Sequence, residues 1–106
     1  MALGMIEVCG FTTSIVVADA AAKAADVKII SLDKNKPAAG DSAEVPLIIV
    51  VNITGDVAAV EEAVEAGVKI AKERGLYVTH YVIARQAEDT KKMSGICAVG
   101  KDPFRK

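Results

Sequence analysis

The sequence predicts an α+β domain in which four strands form one antiparallel sheet, with both main helices on the same face. Its 106 residues are enough for a single domain. Hydrophobic residues make up 52% of the chain but aromatic residues only 4%, so the core must consist of thin layers of small aliphatic side chains. The apolar segments follow the order β-α-β-β-α-β, with a short C-terminal helix after them. Two split β-α-β units of this kind form the ferredoxin-like arrangement.

The first half of the chain contains a strand, a helix and a second strand. Residues 3–9 are apolar enough for the first strand. The hydroxyl side chains of residues 12–14 can cap a helix, and the alanine-rich stretch after them predicts a helix that ends near Ala25. Residues 27–32 are β-branched and apolar, which is typical of a strand. Residues 33–46 hold two prolines, one glycine and five charges, and they predict a long loop.

The second half of the chain has the same order of strand, helix and strand. A nearly continuous apolar run at 47–53 predicts a central strand. Asp56 is expected to cap the next helix and Gly75 to end it. Residues 76–84 then form the fourth strand and residues 86–93 a short polar helix. The predicted buried stripe of the second main helix consists of Val57, Val60, Val64, Gly67 and Ala71.

Gly67 is the most informative member of that stripe. A glycine inside a helix costs about 1 kcal/mol relative to alanine. Because Gly67 lies on the apolar side, a close approach of another backbone or side chain is the natural reason for it. We therefore predict a tight contact at this position.

Composition excludes several classes of function. Thirteen basic against fourteen acidic residues give a net charge of −1, which argues against a nucleic-acid-binding protein. No apolar run approaches the roughly twenty residues that span a bilayer. The first residues also lack the basic region of a signal peptide. We therefore expect a cytoplasmic protein that binds neither nucleic acid nor membrane, with Cys9 and Cys97 as reduced thiols.

No residue pattern specifies an enzyme. His80 is the single histidine and lies in a predicted strand without a neighbouring carboxylate in sequence, so we interpret it as structural. The two cysteines are too far apart in sequence to suggest a zinc site with it. Phosphate-binding glycine motifs are also missing, and the glutamates of the second helix are typical of a solvated face.

Four segments, taken in chain order, resemble the hexamer-forming shell proteins of bacterial microcompartments, the BMC-domain family. These segments are Ala-Leu-Gly-Met-Ile-Glu at 2–7, the Ala-Asp to Lys-Ala-Ala stretch at 18–27, Gly-Asp-Val with Glu-Ala-Gly at 55–67, and Tyr-Val-Ile-Ala-Arg at 81–85. The resemblance implies a shell domain over residues 1–93, with a tail at 94–106. It also implies a structural protein without catalytic activity. Such a protein forms cyclic homohexamers that tile into a shell around enzymes, with a central pore for small metabolites.

The resemblance also implies roles for particular residues. Lys23 and Arg85 match the family's residues at the hexamer edge, and Asp26 stands near that lysine where the family often has asparagine. The family's pore is lined by the loop between the second and third strands, which is several residues longer here. The residues expected to line the pore are Lys36, Pro37, Ala38, Ala39, Gly40 and Asp41.

Two alternatives remain beside the simple shell protein. Some divergent family members hold an iron–sulfur cluster at the pore, but a cluster needs thiolates at the axis. The loop at 33–46 contains no cysteine, so we expect no cofactor. The other alternative is a trimeric ferredoxin-like regulatory protein that uses the long loop to sense a small molecule. For the shell protein, the implied partners are further copies of the chain, other shell proteins, encapsulated enzymes and small metabolites.

Overall fold

The predicted sheet and helix arrangement is confirmed. The structure, a computed structural model, describes residues 1–35 and 47–94. The sheet has the strand order β2-β3-β1-β4, and each neighbouring pair is antiparallel. The elements are β1 (Ala2–Cys9), α1 (Phe11–Ala24), β2 (Lys28–Asn35), β3 (Ile48–Gly55), α2 (Val57–Glu73), β4 (Tyr77–Ile83) and α3 (Glu88–Ser94).

The main core lies between the sheet and the pair α1 and α2. Side chains alternate along a strand, so the even-numbered residues of β1 point towards these two helices. Gly4 lies against α2 and Ile6 against Gly67. The buried side chains of this core are almost all small aliphatic groups, as the low aromatic content predicts. They include Ile6, Val8, Val17, Ala21, Val51, Ile53, Val60, Ala63, Val64 and Ala71.

The helix boundaries agree with the prediction at α2 and differ at α1. Asp56 is the N-cap residue of α2, and Gly75 follows its C-cap with a φ of 71°, which a glycine adopts without strain. The prediction that residues 12–14 cap α1 is wrong. The helix starts at Phe11 with Gly10 as its N-cap, and Ser14 Oγ donates to the carbonyl of Phe11. Since Gly10 has a φ of 89°, the turn between β1 and α1 is made by glycine.

The stripe predicted for α2 is buried with one exception. Val60, Val64, Gly67 and Ala71 are buried, but Val57 is 40% exposed. Val57 is the first residue of the helix, whereas Val60 and Val64 lie close to Gly4 of β1. Apolar spacing alone could not show that the first position of the stripe is partly exposed.

The tight contact predicted at Gly67 is confirmed. A Cβ atom there would lie 2.6 Å from Ile6 Cδ1 and 3.1 Å from Val17 Cγ1. Both neighbours are completely buried. The missing side chain therefore allows α2 to approach both β1 and α1 closely.

The first three residues of the predicted loop at 33–46 belong to a strand instead. Residues Asp33–Asn35 continue β2 and pair with β3, because cross-strand hydrogen bonding outweighs the polar composition of this stretch. The pairing also shifts register between Ile29 and Ser31. This irregularity places Ser31 opposite Asn52, on the sheet face away from α1 and α2.

Candidate functional site

Lys23 lies in the last turn of α1 and forms an ion pair within its own helix. Its Nζ atom is 2.8 Å from Oδ2 of Asp19, one turn earlier, and the two side chains are 76% and 59% exposed. The hydrogen bond to Asp19 raises the pKa of Lys23, and the negative charge of Asp19 adds to this effect. Lys23 therefore presents a fully charged ammonium group at the surface, held by Asp19 rather than by Asp26.

Arg85 and Asp26 both lie near the start of the chain. Arg85 is exposed two residues after the end of β4, and the next residue, Gln86, donates its backbone N–H to the carbonyl of Met1 at 3.5 Å. Asp26 is exposed in a shallow depression that Met1 and Asp56 also line. Met1 thus lies beside two of the three residues predicted at the hexamer edge.

The residues predicted to line the pore, 36–41, lie outside the described residues. The strands that lead to them are described. Asn35 and Ile48 are register partners at the ends of β2 and β3. The described strand ends on either side of the predicted pore segment are therefore neighbours in the sheet.

His80 lies in an open cleft between α2 and β4. Its Nδ1 atom is 2.7 Å from the hydroxyl of Tyr77, so the ring has a hydrogen-bond partner. The structure also places Glu61 and Glu65 of α2 in this cleft. The sequence could not show this proximity, because helix packing brings the two segments together. Val64, Val68 and Val82 complete the lining of the cleft.

The described residues contain no arrangement typical of a metal site. Across 1–35 and 47–94, no three histidine, cysteine or acidic side chains are grouped so that they could hold a metal ion. Cys9 is half-buried at the end of β1 and is a free thiol. Within the same ranges, no helix is both long enough and apolar enough to cross a bilayer.

Several large apolar side chains are exposed at the outer surfaces of the chain. Phe11 and Ile15 are each 45% exposed one turn apart on α1. Val78 and Tyr81 are 40% and 64% exposed on β4, which is an edge strand of the sheet. Exposed apolar groups on both a helix and a sheet edge are typical of surfaces that other protein subunits cover.

Comparison with known proteins matches the chain to one domain family and to several shell proteins. Residues 2–86 match the model of the BMC domain. Over 86 residues the chain is 37% identical to the bacterial microcompartment shell protein PduK of Salmonella typhimurium, covering 81% of this chain and 49% of that protein. It is 32% identical to the carboxysome shell protein CcmK3 of Halothece, over 99% of this chain and 97% of the other. It is 35% identical to the shell protein PduA of Citrobacter freundii, over 87% and 89%.

A solved structure supports the same relationship. The crystal structure of a microcompartment protein from Desulfitobacterium hafniense superimposes with a TM-score of 0.71 at 37% identity. The match covers 86% of this chain and 47% of the other. The chain thus spans about half the length of this protein and of PduK, but nearly the whole of CcmK3.

Proposed function

Since this chain belongs to the BMC-domain family, we propose that it forms cyclic homohexamers that tile side by side into a microcompartment shell. The observation that carries this proposal is the family match over residues 2–86, a range that contains all four strands and both main helices. The protein is a structural component of such a shell, which lies in the bacterial cytoplasm. Other shell proteins and the enclosed enzymes are its proposed further partners.

The proposed contacts between neighbouring hexamers use Lys23, Asp26 and Arg85. All three side chains are exposed in the single subunit. The stem of a lysine can lie along an apolar edge while its ammonium group reaches a carbonyl of the neighbour. An arginine can donate several hydrogen bonds in a fixed geometry across the same seam. The exposed apolar groups of α1 and β4 support contacts between subunits within the hexamer.

The proposed pore lies on the sixfold axis and is lined by residues 36–41. Each copy of the segment at 33–46 carries three acidic residues and two lysines, a net charge of −1 that a ring repeats six times. Repetition around one opening makes the charge and width of the pore sensitive to single residues. We propose that small polar metabolites pass through it, that no cofactor is needed and that the chain catalyses no reaction.

The assembly state of the purified chain tests this proposal. Sedimentation velocity is expected to give a particle of six chains of 11.0 kDa, and negative-stain microscopy to show hexagonal sheets. Lys23→Ala is expected to abolish the sheets but leave the hexamers intact. Lys69→Ala, which removes an exposed lysine from α2, is the matched control and should leave the sheets unchanged.

Two results would overturn the proposal. A monomer at high concentration would leave the exposed apolar groups without a partner. A trimer whose melting temperature rises with a small molecule would instead support the regulatory protein, because a ligand stabilises the state that binds it.

A further inference from the structure

The cleft between α2 and β4 combines an apolar floor with an acidic rim. The floor consists of Val64, Val68 and Val82, and the rim of Glu61, Glu65 and His80. Both glutamates and the histidine are exposed, and the cleft has a volume of about 320 Å³. Because the cleft is open to solvent, its shape suits a segment of polypeptide that lies across the surface rather than an enclosed small ligand.

A β-bulge in the pairing of β1 with β4 forms the polar wall of this cleft. Tyr77 pairs with Val8 and His80 with Ile6, and Val78 is the extra residue between them. On a regular strand, side chains three residues apart point to opposite faces. Here both rings lie on the helix face, and the Tyr77 hydroxyl is 2.7 Å from Nδ1 of His80. The bulge therefore turns a hydrogen-bonded His80 ring towards α2.

The two glutamates of the rim place negative charge beside the apolar floor. Glu61 and Glu65 are one turn apart on α2, where like charges destabilise a helix. Within residues 1–35 and 47–94, no lysine or arginine forms an ion pair with either of them, Lys69 one turn further on included. The lining of the cleft also contains no basic side chain. A segment that carries both apolar and basic side chains is therefore favoured here.

Residues 101–106 of the same chain have that composition. Their sequence is Lys-Asp-Pro-Phe-Arg-Lys, and three basic residues against one acidic residue give a net charge of +2. The two glutamates of the rim carry −2. Phe104 is one of only two phenylalanines in a chain that has few aromatic residues. Aromatic and arginine side chains are the usual anchors of a binding segment, and here Phe104 and Arg105 are adjacent.

The position of Ser94, the last described residue, allows these residues to reach the cleft. Asn52 Nδ2 donates to Ser31 Oγ at 2.8 Å, and Ser31 Oγ donates to the backbone carbonyl of Ser94. This bond places Ser94 beside β2, three strand spacings or about 14 Å from β4. Passing around β4 to the helix face adds about 10 Å, the spacing of packed layers. The ten residues 95–104 can span about 33–36 Å, which is more than this path requires.

We propose that residues 101–106 bind the α2–β4 cleft of their own chain, with Phe104 on the three valines and Arg105 towards the two glutamates. The bound segment covers apolar surface that the strands and helices leave open, and it pairs the charges of the rim. The proposal does not depend on hexamer formation, because both parts belong to one chain.

His80 is the single histidine of the chain and provides a direct readout. In spectra of the full chain with ¹³C-labelled histidine, the ring protons of His80 are expected to show nuclear Overhauser cross-peaks to the ring of Phe104. Phe104→Ala should lower the equilibrium constant for docking at least about tenfold, because an apolar anchor is lost, and should shift the His80 signals. Phe11→Ala removes the other phenylalanine, on α1 outside the cleft, and should leave these signals unchanged.

Charge variants test the rim separately. Glu65→Lys replaces an attraction with a repulsion and is expected to lower the docking constant about fivefold, with weaker cross-peaks. Combining it with Arg105→Glu should restore them. Glu62→Lys makes the same change at an exposed position of α2 outside the cleft lining and is the matched control. All the glutamates changed are exposed, so folding is not at risk.

Three results would overturn the proposal. Absence of the cross-peaks, with His80 signals that do not respond to Phe104→Ala, would show that the segment does not occupy the cleft. Equal effects of Glu62→Lys and Glu65→Lys would indicate a general effect of charge. Labelled Phe104→Ala chains can also be refolded from urea together with unlabelled, unchanged chains. If their His80 signals then return to the unchanged position, a neighbouring chain supplies the segment.

Discussion

Replacing Gly67 with alanine tests the closest packing in the core. The change adds one methyl group to α2 at a point where the nearest atom, Ile6 Cδ1, would lie 2.6 Å away. Val17 Cγ1 would lie at 3.1 Å and the carbonyl oxygen of Val17 at 3.5 Å. Carbon atoms in favourable contact are about 3.5–4.0 Å apart, so the new methyl group overlaps two side chains. Ile6 and Val17 are both completely buried and have no solvent to move into.

Two opposing contributions determine the size of the effect. Alanine is favoured over glycine inside a helix by about 1 kcal/mol. Adding a methyl group to a filled core costs about 1–3 kcal/mol in displaced side chains and backbone. We therefore expect Gly67→Ala to lower the free energy of unfolding by about 1 kcal/mol, although alanine is the better helix former. In a chain of this size that loss lowers Tm by about 4–8 °C.

Urea unfolding followed by circular dichroism measures this difference. All variants are compared at equal chain concentration, because assembly makes apparent stability concentration-dependent. Lys69→Ala and Lys69→Gly, on the exposed face of the same helix, give the propensity difference without the contact and should differ by about 1 kcal/mol in favour of alanine.

A double-mutant cycle identifies the cause. Ile6→Val removes the Cδ1 methyl group and should cost about 0.5–1.5 kcal/mol alone. Combined with Gly67→Ala, it should cost less than the two single changes added together, by at least about 0.5 kcal/mol. If Gly67→Ala raises the free energy of unfolding by as much as Lys69→Ala exceeds Lys69→Gly, the packing explanation is refuted.

Three further predictions concern a hydrogen bond, a turn and an ion pair. Ser31→Ala removes the hydroxyl between β3 and α3 and should destabilise the fold by about 1–3 kcal/mol, with faster hydrogen exchange in α3. Ser94→Ala keeps the backbone carbonyl that accepts this bond, so equal exchange in both variants would contradict the role of Ser31. Gly75→Ala should lower the free energy of unfolding, measured in urea, by about 1–2 kcal/mol. The whole effect should come from the φ of 71°, because nothing lies within 4 Å of the added methyl group. Asp19 raises the pKa of Lys23, so any stability that this pair contributes is complete at neutral pH and lost as the pH rises through that pKa, above the ordinary value of 10.5. The stability difference between Asp19→Asn and the unchanged chain should shrink over that pH range, and a constant difference would show that the ion pair is not its source.

Much of the fold and part of the candidate site could be predicted because they depend on nearby residues. The spacing of small aliphatic residues along α2 marks the face that packs on the sheet, and Gly75 marks where that helix stops. Gly67 could be identified as a contact because glycine is unfavourable in a helix unless something lies close to it. Lys23 and Arg85 were assigned from short segments that resemble a known family; both are exposed, and their role at a hexamer edge stays a prediction.

Other features could not be predicted because two distant segments decide them together. The glutamates of α2 approach His80 only after α2 packs beside β4. The polar composition of residues Asp33–Asn35 predicts a loop, but they form part of β2 because β3 offers them hydrogen-bond partners. Similarly, the N-terminus of α1 depends on the turn that Gly10 makes after β1, rather than on the hydroxyl groups that follow.

The sequence alone determined the identity and order of the strands and helices, because apolar periodicity and glycine act over one or two turns of chain. Only the tertiary structure decided the register of β2 against β3. The shift between Ile29 and Ser31 turns Ser31 to the face on which α3 packs. The side-chain period of a strand is two residues, so a displacement by one residue moves a side chain to the opposite face. That displacement depends on which pairing buries the most apolar surface and satisfies the most hydrogen bonds across the sheet, and a single segment of sequence does not contain this information.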